Sequence, residues 1–358
     1  MARRGYLDWL RGVAVLIMIE AHTVDSWTRL DQRATSSYGW AVIIAGFGAP
    51  IFLFLAGVAL SLAAGARVRK GRSQEEAAAA ARRRGWQILG LAFVFRLQSW
   101  LISGGPITSL MKVDILNVMG VSMLIGALLW GWGRSRWSRI AWFVAAAVVF
   151  TMVTPILRAA PLFAAWPDRL EGYIRPVGRL NTFSLFPWAG FLFAGGAVGA
   201  WLDGVQTRVA ERRTQAMLAV VGALLAIGGL AATYLPPIYA ETSFWTSSPT
   251  FFFLRVGILI AALPLAFAWN ALWHGYSPLQ VFGRASLFIY WIHVEMVYGV
   301  VSASIHKQLT FGQALVAFAT FSLFLFAIVK LVDAARGRRF GKSAGDQVAL
   351  RAARVPGR

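Results

Sequence analysis

The side chains able to do chemistry are concentrated in the first apolar stretch, YLDWLRGVAVLIMIEAHTVD, residues 6–25. The run is long enough to cross a bilayer, yet it holds Asp8, Arg11, Glu20 and His22. Titratable groups in a spanning helix are costly and face a partner or a water-filled cavity. At 100° per residue, His22 falls about 20° past the direction of Arg11 and about 16.5 Å farther along the axis. Val15 and Met18 lie on the stripe between them, and Asp8 lies one turn below Arg11. A cation near one surface and an imidazole toward the other read as one wall of an active site running through the membrane. The alternative is a signal-anchor helix whose polar groups satisfy neighbouring spans.

A second polar stripe lies in GRASLFIYWIHVEMVYG, residues 283–299. Ser286, Tyr290 and His293 recur at i, i+4 and i+7 on one face, while Glu295 points away from His293. Imidazole changes charge near neutral pH, which suits proton transfer. Arg96 and Asp114 come from spans joined by a short loop and can pair, with Asn117 close after Asp114. His22, His274, His293 and His306 form no close pairs, so no metal site is read. Phosphate-loop and dinucleotide fingerprints are missing.

The elements that must position these groups are membrane helices. The chain is 58% hydrophobic, with 25 Phe and 16 Trp and no Cys. Zero Cys excludes disulfides, thiolate metal sites and a cysteine nucleophile. Hydropathy gives ten spans of bilayer length: 6–24, 38–64, 84–103, 113–132, 138–156, 183–202, 215–235, 249–273, 283–302 and 311–332. They form one all-α bundle over 1–335, followed by a basic, disordered tail at 336–358. Helix is required because backbone exposed to lipid must satisfy its own hydrogen bonds. The first run reads as an uncleaved anchor, since Arg11 lies inside it and no small-residue cleavage site follows.

A net charge of +20 raises nucleic acid as a partner, but the distribution of charge argues for topology instead. Most of the 35 Lys and Arg fall in alternate loops, including Arg3 and Arg4, the run from Arg67 to Arg84, and the C-terminal tail. That bias places both termini in the cytoplasm. Gly46, Gly48 and Pro50 interrupt the second span, and Gly195 and Gly199 mark a helix-packing face in FAGGAVGAW. The outer connection 157–182 carries a polar and aromatic mixture suited to a lid, to glycan contacts, or to plain solvation.

LDWLRGVAVLIMIEAH resembles the first helix of the transmembrane acyltransferase superfamily, which includes acyltransferase family 3 and the catalytic domain of heparan-alpha-glucosaminide N-acetyltransferase. The pattern is Asp8, then Arg11-Gly12, then His22 at the tenth position onward. Four further stretches resemble the heparan-alpha-glucosaminide N-acetyltransferase branch, in order. They are GAPIFLFLAGVALSL from Gly48, VDILNVMGVSML from Val113, FPWAGFLFAGG from Phe186 and SLFIYWIH from Ser286. The resemblance implies acyl transfer from cytoplasmic acyl-CoA, acetyl-CoA first among them, to a hydroxyl or amine of a glycan or glycolipid across the membrane. The lysosomal member carries Asn where this chain has His22, whereas acyltransferase family 3 members carry His.

On this reading His22, His293 and Asp114 are the catalytic candidates. Asp8, Arg11, Arg82, Arg83 and Arg84 are expected to hold CoA, and Arg96, Asn117, Trp188 and Tyr290 the acceptor. His22 acts as general base in direct transfer, or carries the acyl group itself. Implied partners are acyl-CoA, the acceptor and membrane lipids, with a homodimer open and nucleic acid excluded. The expected location is a bacterial cytoplasmic membrane. A secondary transporter of a sugar or lipid-linked intermediate is the rival, since broken helices and midplane polar groups fit that class too, although no inverted repeat is evident. A non-catalytic scaffold would leave both polar stripes unexplained.

Overall fold

The computed structural model of the protein describes residues 4–104, 106–178, 181 and 183–352, without side-chain placement at 103 and 336–352. Among the described residues the fold is helical, with one isolated bridge between Thr28 and Leu309. The helices are α1 (Gly5–Trp27), α2 (Ser36–Ala45), α3 (Gly48–Arg69), α4 (Gln74–Ser103), α5 (Ile115–Trp132), α6 (Arg136–Met152) and α7 (Thr154–Ala159). They continue with α8 (Asp168–Ile174), α9 (Leu185–Asp203), α10 (Arg208–Ala231), α11 (Pro249–Leu272), α12 (Pro278–Arg284), α13 (Ser286–Tyr298) and α14 (Phe311–Ala352). The expected tail at 336–358 falls where side chains are not described, and 353–358 lie wholly outside the described residues.

Among the described residues, seven segments are long and apolar enough to cross a membrane: Ser36–Arg69, Ile107–Trp132, Arg136–Ala159, Leu185–Asp203, Arg208–Tyr234, Pro249–Leu272 and Phe311–Ala335. They leave large apolar side chains outward, such as Leu224 at 65%, Val316 at 67% and Leu323 at 71% exposed. Surface of that kind belongs in lipid. Three spans read from hydropathy fall outside this set for different reasons. α1 and α4 carry several charges, and α13 has only 13 residues. The second span is two helices: α2 ends at Ala45 with Gly46 as its cap, and α3 begins at Gly48. Pro50 then sits in the first turn of α3, where its missing N–H leaves no bond unmade.

Small residues set the closest approaches. A Cβ on Gly57 would overlap the carbonyl of Leu192, and one on Gly195 the carbonyl of Phe54, so α3 and α9 lie backbone against backbone. α12 lies on α1 in the same way, with Gly12 against Leu279 and Gly283 against Asp8. One end of the bundle is tied by basic side chains. Arg4 Nε donates to Glu211 (2.9 Å), its Nη2 to the carbonyls of Leu202 and Val205, and Arg69 pairs with Asp203. Gln74, Gly131, Gly133 and Arg139 bond together at that end. At the other end the chain after α1 joins the segment before α14, with Lys307 N–H donating to Ser26 and Leu309 N–H to Trp27.

Candidate active site

α1 is unbroken, so Arg11 and His22 keep the alignment their spacing predicts. Both line one cavity of about 1320 Å³, and Met18 lines it between them. Val15 turns the other way, packing in a cluster with Ile289, Leu325 and Val329. At one end the cavity is basic: Arg11 is joined by Arg67 of α3, Arg83 and Arg84 of α4, and Arg284 at the end of α12. The Gly12 and Gly283 contact brings Arg284 to the Arg11 end. Arg83 and Arg84 project readily because α4 is one long helix, started by a capping box between Ser73 and Glu76. Arg11 lies 3.5 Å from Asp8, a buried carboxylate that holds it from below.

At the other end the side chains are fixed by one another. Asp114 caps α5, accepting from the N–H of Ile115 (2.6 Å). Its Oδ2 takes a bond from Arg96 (2.6 Å) and one from the Tyr290 hydroxyl (3.3 Å). Asn117 completes the capping box and donates to the Tyr173 hydroxyl (3.1 Å). Tyr173 belongs to α8, and burial raises its phenol above the ordinary value. The described part of the 157–182 connection, read as suited to a lid, to glycan contacts or to plain solvation, is docked here: Arg175 donates to Glu171 and to the carbonyls of Arg158 and Ala160.

His293 is fully buried and sits behind His22 rather than on the cavity wall. Its Nδ1 lies 2.8 Å from the Ile289 carbonyl, which can only accept, so Nδ1 carries a proton. In the neutral ring Nε2 then accepts, and it lies 2.8 Å from Nδ1 of His22. His22 Nδ1 must donate that bond, which leaves the His22 lone pair on Nε2. The ring planes are 6° apart, and the edge of Tyr298 packs on His22 at 5.5 Å. A buried histidine thus sets the tautomer of the one lining the cavity.

A sequence model of the family described as heparan-alpha-glucosaminide N-acetyltransferase, catalytic, matches residues 3–235. The chain belongs to this family. No curated protein matches it. Membership implies an acetyltransferase, and the apolar helices make it an integral membrane one. The matched part contains Asp8, Arg11, His22, Arg96 and Asp114. Beyond it, α12 and α13 supply Arg284 and Tyr290 to the wall and His293 behind it, so the cavity is completed by helices outside the match.

Of the sequence candidates, His22, Arg11, Arg83, Arg84, Arg96, Asp114 and Tyr290 line this cavity. Asp8, Asn117 and His293 stand behind lining residues. Arg82 is not among the lining side chains, and Trp188 lines a separate pocket. Charged lining residues that escaped the site reading are Asp25, Arg67, Lys112, Arg284 and Glu295. Asp25 was findable, being one helical turn from His22. Glu295 was set aside for pointing away from His293, yet it is His293 that faces away from the cavity.

Proposed function

We propose that this protein moves an acyl group, acetyl first, from acyl-CoA at the basic end of the cavity to a hydroxyl or amine of a glycan or glycolipid at the His22 end. The observation that carries the reading is the single cavity joining Arg11, Arg83, Arg84 and Arg284 to His22. Guanidinium groups suit the CoA phosphates, and a span of about 16.5 Å suits an extended pantetheine arm. His22 Nε2 takes the proton from the acceptor as its oxygen or nitrogen attacks the thioester carbonyl. The tetrahedral adduct collapses, the C–S bond breaks, and the imidazolium returns the proton to the departing thiolate. Asp25 and Asp114 line the same cavity, each beside an arginine, and their negative charge favours the transient imidazolium.

The seven apolar segments together with α1, α4 and the α12–α13 pair make ten crossings in this proposal. The contacts gathering Arg4, Arg69, Gln74, Arg139 and Glu211 at one end support a cytoplasmic face there, as does the loop charge bias. A transporter would also have a cavity reaching both ends, but family membership favours transfer chemistry. Sealed vesicles of known orientation test the proposal, with labelled acetyl-CoA on one face and a glycan acceptor on the other. Product is expected with acetyl-CoA on the basic-loop face and acceptor opposite. Product formed only with both on one face rejects the two-sided reading, and movement of intact acceptor without acylation favours transport.

A further inference from the structure

A second pocket, of about 340 Å³, lies beside the first at the His22 end of the bundle. Trp188 is part of its wall, and the ring of Trp188 meets Phe183, a residue of the large cavity, edge to face at 4.8 Å. Two half-buried arginines from different helices line it: Arg158 near the end of α7 and Arg255 of α11. Arg158 spends one nitrogen on the Thr246 hydroxyl (2.9 Å), and Arg255 lies over the Phe251 ring at 4.0 Å. The Nε of each is buried with no hydrogen-bond partner among the described residues. No carboxylate is among the described lining residues, and the nearby Glu171 is taken by Arg175. Each Nε is closed off from the pocket, so an anion there would meet the outer guanidinium nitrogens. Two guanidinium groups with no carboxylate among the described lining residues are a recognition surface for an oxyanion, and phosphate matches their fork.

The surroundings say how the anion arrives. Arg255 is the seventh residue of α11, about 9 Å below the start of a membrane-crossing helix. Trp245, part of the pocket wall, is 52% exposed, and Ile156 (56%) and Leu162 (59%) are exposed in the α7 region, apolar and aromatic side chains of the kind that sit where a span meets the interface. We infer that this pocket binds the phosphate head of a membrane amphiphile, with the phosphate between Arg158 and Arg255 and the apolar tail along these exposed side chains. Such a head comes from a polyprenyl phosphate or from a glycerophospholipid, and both present the same anion at the same depth. The inference does not depend on acyl transfer, because it concerns a different cavity and a binding event.

Native mass spectrometry of the detergent-purified full chain tests it directly. The probes are a short polyprenyl phosphate, phosphatidylglycerol, their uncharged counterparts prenyl alcohol and diacylglycerol, and inorganic phosphate. The wild type is expected to retain at least one phosphate lipid tenfold better than its uncharged counterpart. Arg158→Gln/Arg255→Gln is expected to lose that preference. Should the double variant fail to fold by thermal melting, Arg158→Gln alone and Arg255→Lys should each weaken it several-fold. Preference for polyprenyl phosphate over phosphatidylglycerol identifies the first source, the reverse the second, and equal retention a general lipid-phosphate site; all three support the inference. Equal retention of charged and uncharged lipids overturns it. So does an unchanged preference in folded variants, or inorganic phosphate competing as well as the lipids.

Discussion

The two ends of the large cavity are built on opposite principles. At the basic end the arginines are long and mostly exposed, and they come from four helices. At the His22 end Asp114 accepts from Arg96, Tyr290 and the first backbone N–H groups of α5, and His22 takes its tautomer from one buried neighbour. The first arrangement spreads attraction for an anion over several charges in partial contact with water, each contributing little alone. The second places its function on individual bonds between buried and half-buried groups, where one unpaired buried donor costs about 1–3 kcal/mol. Binding should therefore degrade gradually at one end, and chemistry abruptly at the other.

The largest effect is expected from His22→Ala. Loss of the general base should lower kcat by roughly 10²–10⁴-fold, with CoA binding retained. The wild-type rate should rise with pH through one imidazole ionisation, because only the neutral ring accepts a proton, and the residual rate of the variant should lose that limb. A near wild-type rate, or an unchanged pH profile, would remove His22 as the base.

His293→Ala comes next. It leaves His22 Nδ1 without its acceptor and should slow transfer by about one to two orders of magnitude. His293→Gln, whose amide oxygen can accept the same bond, should recover part of the rate. If Gln and Ala behave alike, His293 is packing and not a positioning residue.

Asp114→Asn should show more in stability than in binding. It leaves Arg96 paired only with a neutral amide in a partly buried site, at up to about 3 kcal/mol, read as a lower melting temperature. If the melting temperature holds and CoA affinity drops instead, the contrast between the two ends is drawn in the wrong place.

Arg83→Gln and Arg84→Gln should be mildest. Each should raise the KM for acyl-CoA about two- to fivefold with kcat unchanged, as for an exposed charge worth up to about 1 kcal/mol. Arg11→Ala should exceed either, being less exposed and backed by Asp8. A fall in kcat from the α4 variants would show that chemistry extends to the basic end.

Helix periodicity made the Arg11–His22 wall readable, because an unbroken α-helix fixes direction from residue count alone. The pairing of Arg96 with Asp114 was readable for a related reason, a short loop between neighbouring helices. The family was likewise legible in local motifs. The role of His293 was not, since spacing along α13 says which residues share a face but not which face meets α1. The partition of Trp188 and Arg255 into a second pocket was equally hidden, because it depends on where α7, α9 and α11 converge. Hydropathy located apolar length well, yet it joined α2 to α3 and ran α13 on into the turn at 300–305, since apolar character persists across a backbone break. What the sequence determined by itself was local: helix length, face and charge order, each set within a few turns. Which faces meet was decided by tertiary packing, through contacts such as Gly12 with Leu279 and Gly195 with Phe54, where a missing Cβ admits another helix's backbone.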